Sequence, residues 1–191
     1  MNIRVRPILF SALTTVSVFI AVLVVSVSCN RDKCKSIVCA YGGVCNGGAC
    51  TCLLGYEGSN CETISRNKFL GNWMVFEKGS ITQAAQYPIS IEAAAYSSNP
   101  VTDVIIKNFY NYFTTPIKGS ISKSGDTLFI PNQQYEGKVL FGVGYIYSNT
   151  TYGQYGGITM RYEIIDTATQ RVNDFGYNDS IDHSRPSEWN K

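Results

Sequence analysis

Histidine is almost missing from this chain: of 191 residues one is histidine, His183, and it sits in a polar stretch beside Arg185 and Pro186. That leaves little for general-base or imidazole-metal chemistry, so His183 reads as a surface residue. No Gly-x-Ser-x-Gly elbow and no phosphate-cradling glycine loop occurs. The carboxylates Glu77, Glu92, Asp103, Glu136, Glu163 and Asp166 are scattered over strand-like segments, where such residues form solvated faces more often than acid/base pairs. Asn173-Asp174, Asn178-Asp179 and Asp182 make a mildly acidic cluster without the ligand register of a calcium loop. The expectation is a non-enzyme with no catalytic residue, no resident metal and no cofactor. Charge of one sign is lacking as well. Sixteen Lys+Arg face 14 Asp+Glu, a net charge of +2, and no basic run is dense enough to neutralise successive phosphates, which excludes nucleic acid as a partner.

Cysteine is absent after residue 61, and the contrast with what precedes it is the main organisational signal. Six of the seven cysteines, Cys34, Cys39, Cys45, Cys50, Cys52 and Cys61, fall within 28 residues. A segment this short cannot bury enough apolar surface to fold unaided, and so many half-cystines persist only where thiols are oxidised. The expected location is therefore outside the cytosol.

The register Cys34-x4-Cys39-x5-Cys45-x4-Cys50-x-Cys52-x8-Cys61, with Gly42-Gly43 before the third cysteine and Gly55-Tyr56-x-Gly58 near the end, resembles an EGF-like domain over residues 34–62. The resemblance implies the pairs Cys34–Cys45, Cys39–Cys50 and Cys52–Cys61. Cys50 and Cys52, two apart on an extended strand, face the same side and are poorly placed to bridge each other. Zinc ligation is the competing reading of such a cluster, and exported context disfavours it. Many EGF-like domains bind calcium, but Lys33 stands where an acidic or amide ligand is usual, and Asn46-Gly47-Gly48-Ala49 is too short for the other half of the motif. The module reads as structural, with Tyr56 as its main aromatic packing surface.

At the amino terminus, Arg4 and Arg6 precede a weakly polar stretch from Ile8 to Val27, which reads as an export signal over residues 1–28. Ser26-Val27-Ser28-Cys29 resembles the lipobox of bacterial envelope lipoproteins, although Ser26 replaces the usual Leu. The resemblance implies cleavage before Cys29 and lipidation of its thiol; the odd seventh cysteine fits that role. Two other fates stay open: an uncut segment long enough to span a bilayer, or ordinary cleavage and secretion. All three put the rest of the chain outside the cytoplasm, with residues 29–33 as a short tether. Asn149-Thr150-Thr151 and Asn178-Asp179-Ser180 satisfy the glycosylation sequon, which matters only in a glycosylating pathway.

From about residue 65 the composition turns to Tyr, Phe, Ile, Val and Thr in short runs separated by Gly, Asn, Ser and Pro. Strands are expected near 72–78, 87–95, 101–113, 117–122, 126–130, 138–147, 157–166 and 171–177, with 181–191 as a polar tail. Ile158, Met160, Tyr162 and Ile164 share one face of their strand, and Thr159, Arg161 and Glu163 the other. A helix over Thr82–Ala95 is the alternative there, weakened by Pro88. The fold class is mainly β: a small disulfide-rich module followed by an antiparallel up-and-down barrel, or a sandwich. Gly71-x-Trp73, Gly119-x-Ile121, Gly125-Asp126-Thr127-Leu128 and Gly142-x-Gly144, in that order, resemble a lipocalin or calycin-like barrel over residues 65–180. That resemblance implies a closed barrel with Trp73 plugging one end.

These readings converge on an exported binding protein, membrane-anchored at Cys29 in the cell envelope or at the cell surface. The EGF-like module would be a stapled spacer for the barrel. The expected partner is a protein or glycan, engaged through Tyr-rich loops such as Tyr145 to Gly157, with Tyr147, Tyr152 and Tyr155. The alternative is a carrier with a small apolar ligand inside the barrel; the number of large inward residues decides between them.

Overall fold

The structure, a computed structural model, describes residues 33–191. Cys29 and the apolar stretch before it lie outside the described residues.

The amino-terminal module is held by covalent cross-links around two small hairpins. Strands β1 (Val44–Asn46) and β2 (Ala49–Thr51) pair through a Gly47-Gly48 turn that sets Cys45 opposite Cys50. Their thiols are bonded elsewhere, Cys45 to Cys34 and Cys50 to Cys39, while Cys52 reaches Cys61. The Cα–Cα spans of 5.8, 5.7 and 5.3 Å lie in the range a disulfide accepts. Strands β3 (Tyr56–Glu57) and β4 (Thr63–Ile64) form the second hairpin. Tyr56 stacks on Tyr41 with ring centroids 4.5 Å apart, the module's principal aromatic contact.

A 3-10 turn at Ser65–Lys68 leads into the barrel. Its strands are β5 (Gly71–Glu77), β6 (Ala85–Ala93), β7 (Asp103–Lys107), β8 (Ile117–Ile121), β9 (Thr127–Tyr135), β10 (Lys138–Asn149), β11 (Gly153–Asp166), β12 (Val172–Phe175) and β13 (Ser187–Asn190). Successive antiparallel pairing runs from β5 to β11, and β13 fits between β11 and β5 to complete an eight-stranded ring. Strand β12 is outside the ring, paired with the far half of β11.

Alternation aims Trp73 and Val75 of β5, Tyr87, Ile89 and Ile91 of β6, Val104 and Ile106 of β7, Leu128 and Ile130 of β9, and Ile158, Met160, Tyr162 and Ile164 of β11 into one core. The space for the largest of them comes from glycine across the ladder. Gly142 pairs with Tyr162 and Gly144 with Met160; a Cβ on Gly142 would lie 2.5 Å from the Tyr162 Cβ, and one on Gly144 would lie 2.7 Å from the Met160 sulfur. Small-against-large pairing is how eight strands accommodate side chains of this size.

Three expectations are corrected. The stretch 181–191 does not end as a polar tail: Ser187–Asn190 is the ring's closing strand, and Trp189 is 1% exposed in the core. The expected strand over 171–177 forms β12, beside the ring and not in it. The run 101–113 is also divided. β7 stops at Lys107, and Asn108, Tyr110 and Asn111 take positive φ in a tight turn that swings Phe109 into the core. Residues 85–93 are strand, and Pro88 is tolerated because β7 pairs only from Ser90 onward; the Pro88 carbonyl instead accepts a hydrogen bond of 2.7 Å from the Asn108 side-chain amide.

The strand directions give the barrel two unlike ends. The β6–β7 and β8–β9 connections share one end with the 3-10 turn, and the module sits there. Gly55 packs so closely that a Cβ on it would lie 2.6 Å from Val101 Cγ1, Lys68 Nζ meets Glu57 Oε2 at 2.8 Å, and Arg66 donates to the Pro100 carbonyl. The β5–β6, β7–β8, β9–β10 and β11–β12 connections gather at the opposite end.

Candidate functional site

The barrel interior contains a polar knot that alternation alone would not reveal. Glu77, the last residue of β5, faces inward at 8% exposure. Its Oε2 accepts hydrogen bonds from the Tyr162 hydroxyl at 2.7 Å and the Ser187 hydroxyl at 2.8 Å, and its Oε1 accepts one from the Tyr87 hydroxyl. Trp189 Nε1 in turn donates to Ser187 Oγ at 2.9 Å. Burial pushes the Glu77 carboxyl above its ordinary value of 4.5, and the three hydroxyl donors oppose that rise without cancelling it. Desolvation, reinforced by the Glu77 charge, pushes the Tyr162 and Tyr87 phenols upward. Every hydroxyl in the knot is spent on the carboxylate. It joins β5, β6, β11 and β13, so its chemistry is that of a clasp.

Glu77 was expected on a solvated face and is not; the other scattered carboxylates do not converge with it. Glu92 pairs with Lys107 on the outer surface, Glu136 accepts from the Thr114 and Thr115 amides, and Asp103 accepts from the Thr102 hydroxyl. Glu163 lies opposite Asp174 on the β11–β12 ladder, where burial and then the hydrogen bond to Asp174 push its carboxyl up. The acidic cluster dissolves in three dimensions. Asp174 is buried, accepting from the Ser184 hydroxyl and the Asn178 amide, whereas Asp179 and Asp182 are almost fully exposed. His183 is exposed beside Asp182.

The rest of the interior is filled with rings. Tyr162 stacks on Phe175 at 4.2 Å, and Phe109 meets Tyr162 at 5.0 Å and Trp189 at 6.0 Å, both edge-on. Trp73 is buried near the module end, its Nε1 donating to the Phe69 carbonyl at 2.8 Å, with Lys191 Nζ 4.9 Å above its ring. The large inward residues form one contiguous buried cluster.

Of the tyrosines between Tyr145 and Gly157, two are committed to the fold. Tyr147 donates to Glu188 at 3.0 Å and covers Gly157, and Tyr155 lies under Lys68 Nζ. Tyr145 and Tyr152 remain exposed. Tyr145 joins Phe129, Phe141 and Tyr177 around a shallow groove of about 550 Å³ on the outer wall of β9 and β10, with Phe141 and Tyr177 in edge contact at 5.0 Å. Phe129 and Tyr177 were not singled out from the sequence. The signal for Phe129 was present: it occupies the outward position between inward Leu128 and Ile130. A scan of protein-family models finds none that matches this chain.

Proposed function

We propose that this protein is an exported, lipid-anchored, non-enzymatic binding protein of the cell envelope. In this reading an EGF-like module serves as a rigid spacer, and a calycin-like barrel is presented beyond it. The observation that carries the reading is the asymmetry of the barrel: its interior is filled by side chains while aromatic surface is left on its outer wall. A plugged barrel favours recognition from outside over carriage of an apolar ligand within. Aromatic side chains grouped with their faces open are the composition that recognition surfaces favour. The stapled module supports the location, since three disulfides persist in an oxidising compartment. The close packing of Gly55 on Val101 supports a stiff spacer. Glu77 supports the non-enzymatic reading, its carboxylate being consumed by three structural hydroxyls.

Mass spectrometry of the mature amino terminus from the native host tests the anchor. A diacylated or triacylated Cys29 is expected, and an unmodified Cys29 or an intact Met1 overturns lipidation. The carrier alternative is tested by titrating the full chain with a fluorescent fatty-acid probe. Saturable binding abolished by filling Gly144 with a larger side chain would favour carriage.

A further inference from the structure

The barrel end opposite the module holds a recess of about 260 Å³ whose lining includes Thr82, Tyr110, Lys138, Asp166, Arg171 and Asn173. Its floor is fixed. Asn173, 4% exposed, donates both hydrogens of its side-chain amide, to the Thr82 hydroxyl at 3.1 Å and the Tyr110 hydroxyl at 3.0 Å, and accepts from the Ile81 amide at 3.1 Å. Thr82 and Tyr110 therefore use their oxygens as acceptors, and neither hydroxyl proton has an acceptor among the described residues. Tyr110 is brought here in a left-handed conformation (φ 58°) that a bulky residue seldom adopts, and its ring is held edge-on against Phe175 at 5.8 Å. A costly conformation of this kind, kept by surrounding contacts, is found most often at functional positions.

The charges around the recess are unbalanced. Asp166 is saturated: Oδ1 accepts from the Ala168 amide and from the Thr169 amide and hydroxyl, and Oδ2 accepts from Lys138 at 3.1 Å. Those bonds hold its carboxyl down at about 2, so it stays ionised and neutralises Lys138. The Arg171 guanidinium has no acidic partner among the described residues. Two cations against one anion leave a single positive charge, next to two hydroxyl donors over a rigid amide floor.

We propose that this recess is a binding site for a small monocarboxylate, whose oxygens would take the Arg171 fork and the Tyr110 and Thr82 hydroxyl protons. Arg171 suits the task because its planar donors match a carboxylate two-to-two. The site is separate from the outer aromatic groove and does not depend on how the amino terminus is processed. The module, packed at the other end, leaves this end of the barrel uncovered.

The test is an NMR titration of the full chain with D-glucuronate, following the Asn173 side-chain amide, with D-glucose and inorganic phosphate as parallel arms. Glucuronate and glucose differ in the carboxylate alone. A saturable shift with glucuronate and none with glucose is expected. Arg171→Gln, at an exposed position where folding is undisturbed, should weaken binding about tenfold or more. Tyr110→Phe should weaken it by a smaller factor while the circular dichroism is unchanged. The assignment is overturned if neither sugar gives a saturable shift, if glucose responds as glucuronate does, if phosphate responds equally, or if Arg171→Gln binds as the parent does.

Discussion

The module and the barrel solve the same problem by opposite means. Between residues 33 and 64 only Gly55 and Cys61 are buried, while Val38, Tyr41, Val44, Leu53 and Leu54 remain more than half exposed. The hydrophobic effect can contribute little there, and the fold rests on restricting the unfolded chain through three cross-links that span 11, 11 and 9 residues. The barrel has no cysteine and buries two tryptophans and a shell of aromatic and branched residues. One region is stable because its denatured state is constrained, the other because its native state is dry and densely packed.

Reduction should separate the two most sharply. Each bridge contributes roughly 2–3 kcal/mol, so a thiol reductant should abolish protection of residues 34–61 in hydrogen exchange. The near-ultraviolet circular dichroism of buried Trp73 and Trp189 should persist. Loss of both signals together would mean that the barrel depends on the module and that the two are not independent solutions.

Trp189→Ala attacks the other side of the comparison. It empties the closing strand of its one large inward residue and should lower barrel stability by about 3–5 kcal/mol, measured by urea unfolding, with the disulfide pattern unchanged.

A smaller effect is expected from Glu77, and its sign can be fixed. Its folded-state pKa is raised above 4.5, so the folded barrel holds the proton where the unfolded chain has released it. The associated stability is fully present below 4.5 and is lost as pH rises from there through the folded value. Glu77→Gln should remove that decline, giving urea midpoints that differ less between about pH 5 and about pH 7.5 than those of the parent. A parent whose barrel gains stability over this window through Glu77 contradicts the assignment.

The smallest effect concerns the join. Lys68→Ala removes the partner of Glu57, an ion pair that is partly screened, and should change stability by about 1 kcal/mol or less. Protease sensitivity near residues 62–66 is the more sensitive readout.

The sequence was most legible where one physical rule acted alone. Spacing made the disulfide-rich segment readable; runs of strand-forming residues between Gly, Asn, Ser and Pro located seven of the eight ring strands, and alternation fixed the inward face of one, with Ile158, Met160, Tyr162 and Ile164. It was least legible where polar residues face inward. Ser187-Glu188-Trp189-Asn190 looks like a tail because Ser187 is polar, yet Ser187 is polar because Glu77 lies opposite it in the core. The two are 110 residues apart, and neither makes sense without the other. Glu77 was misplaced for the same reason. The recess was hidden because Tyr110, Lys138 and Arg171 come from three separate places in the chain, the β7–β8 connection, the start of β10 and the β11–β12 connection, and Tyr110 reaches its place only through a turn whose left-handed residues no periodicity predicts.

The seam between β5 and β13 also orders events in time. The ring joins its earliest and latest strands, so a chain synthesised from its amino terminus keeps two raw edges until Ser187–Asn190 has been added. The module, whose bridges span 11, 11 and 9 residues, is complete in sequence long before that point. Until then the open edges of the sheet, and not the cross-linked module, are the part of the chain that needs shelter.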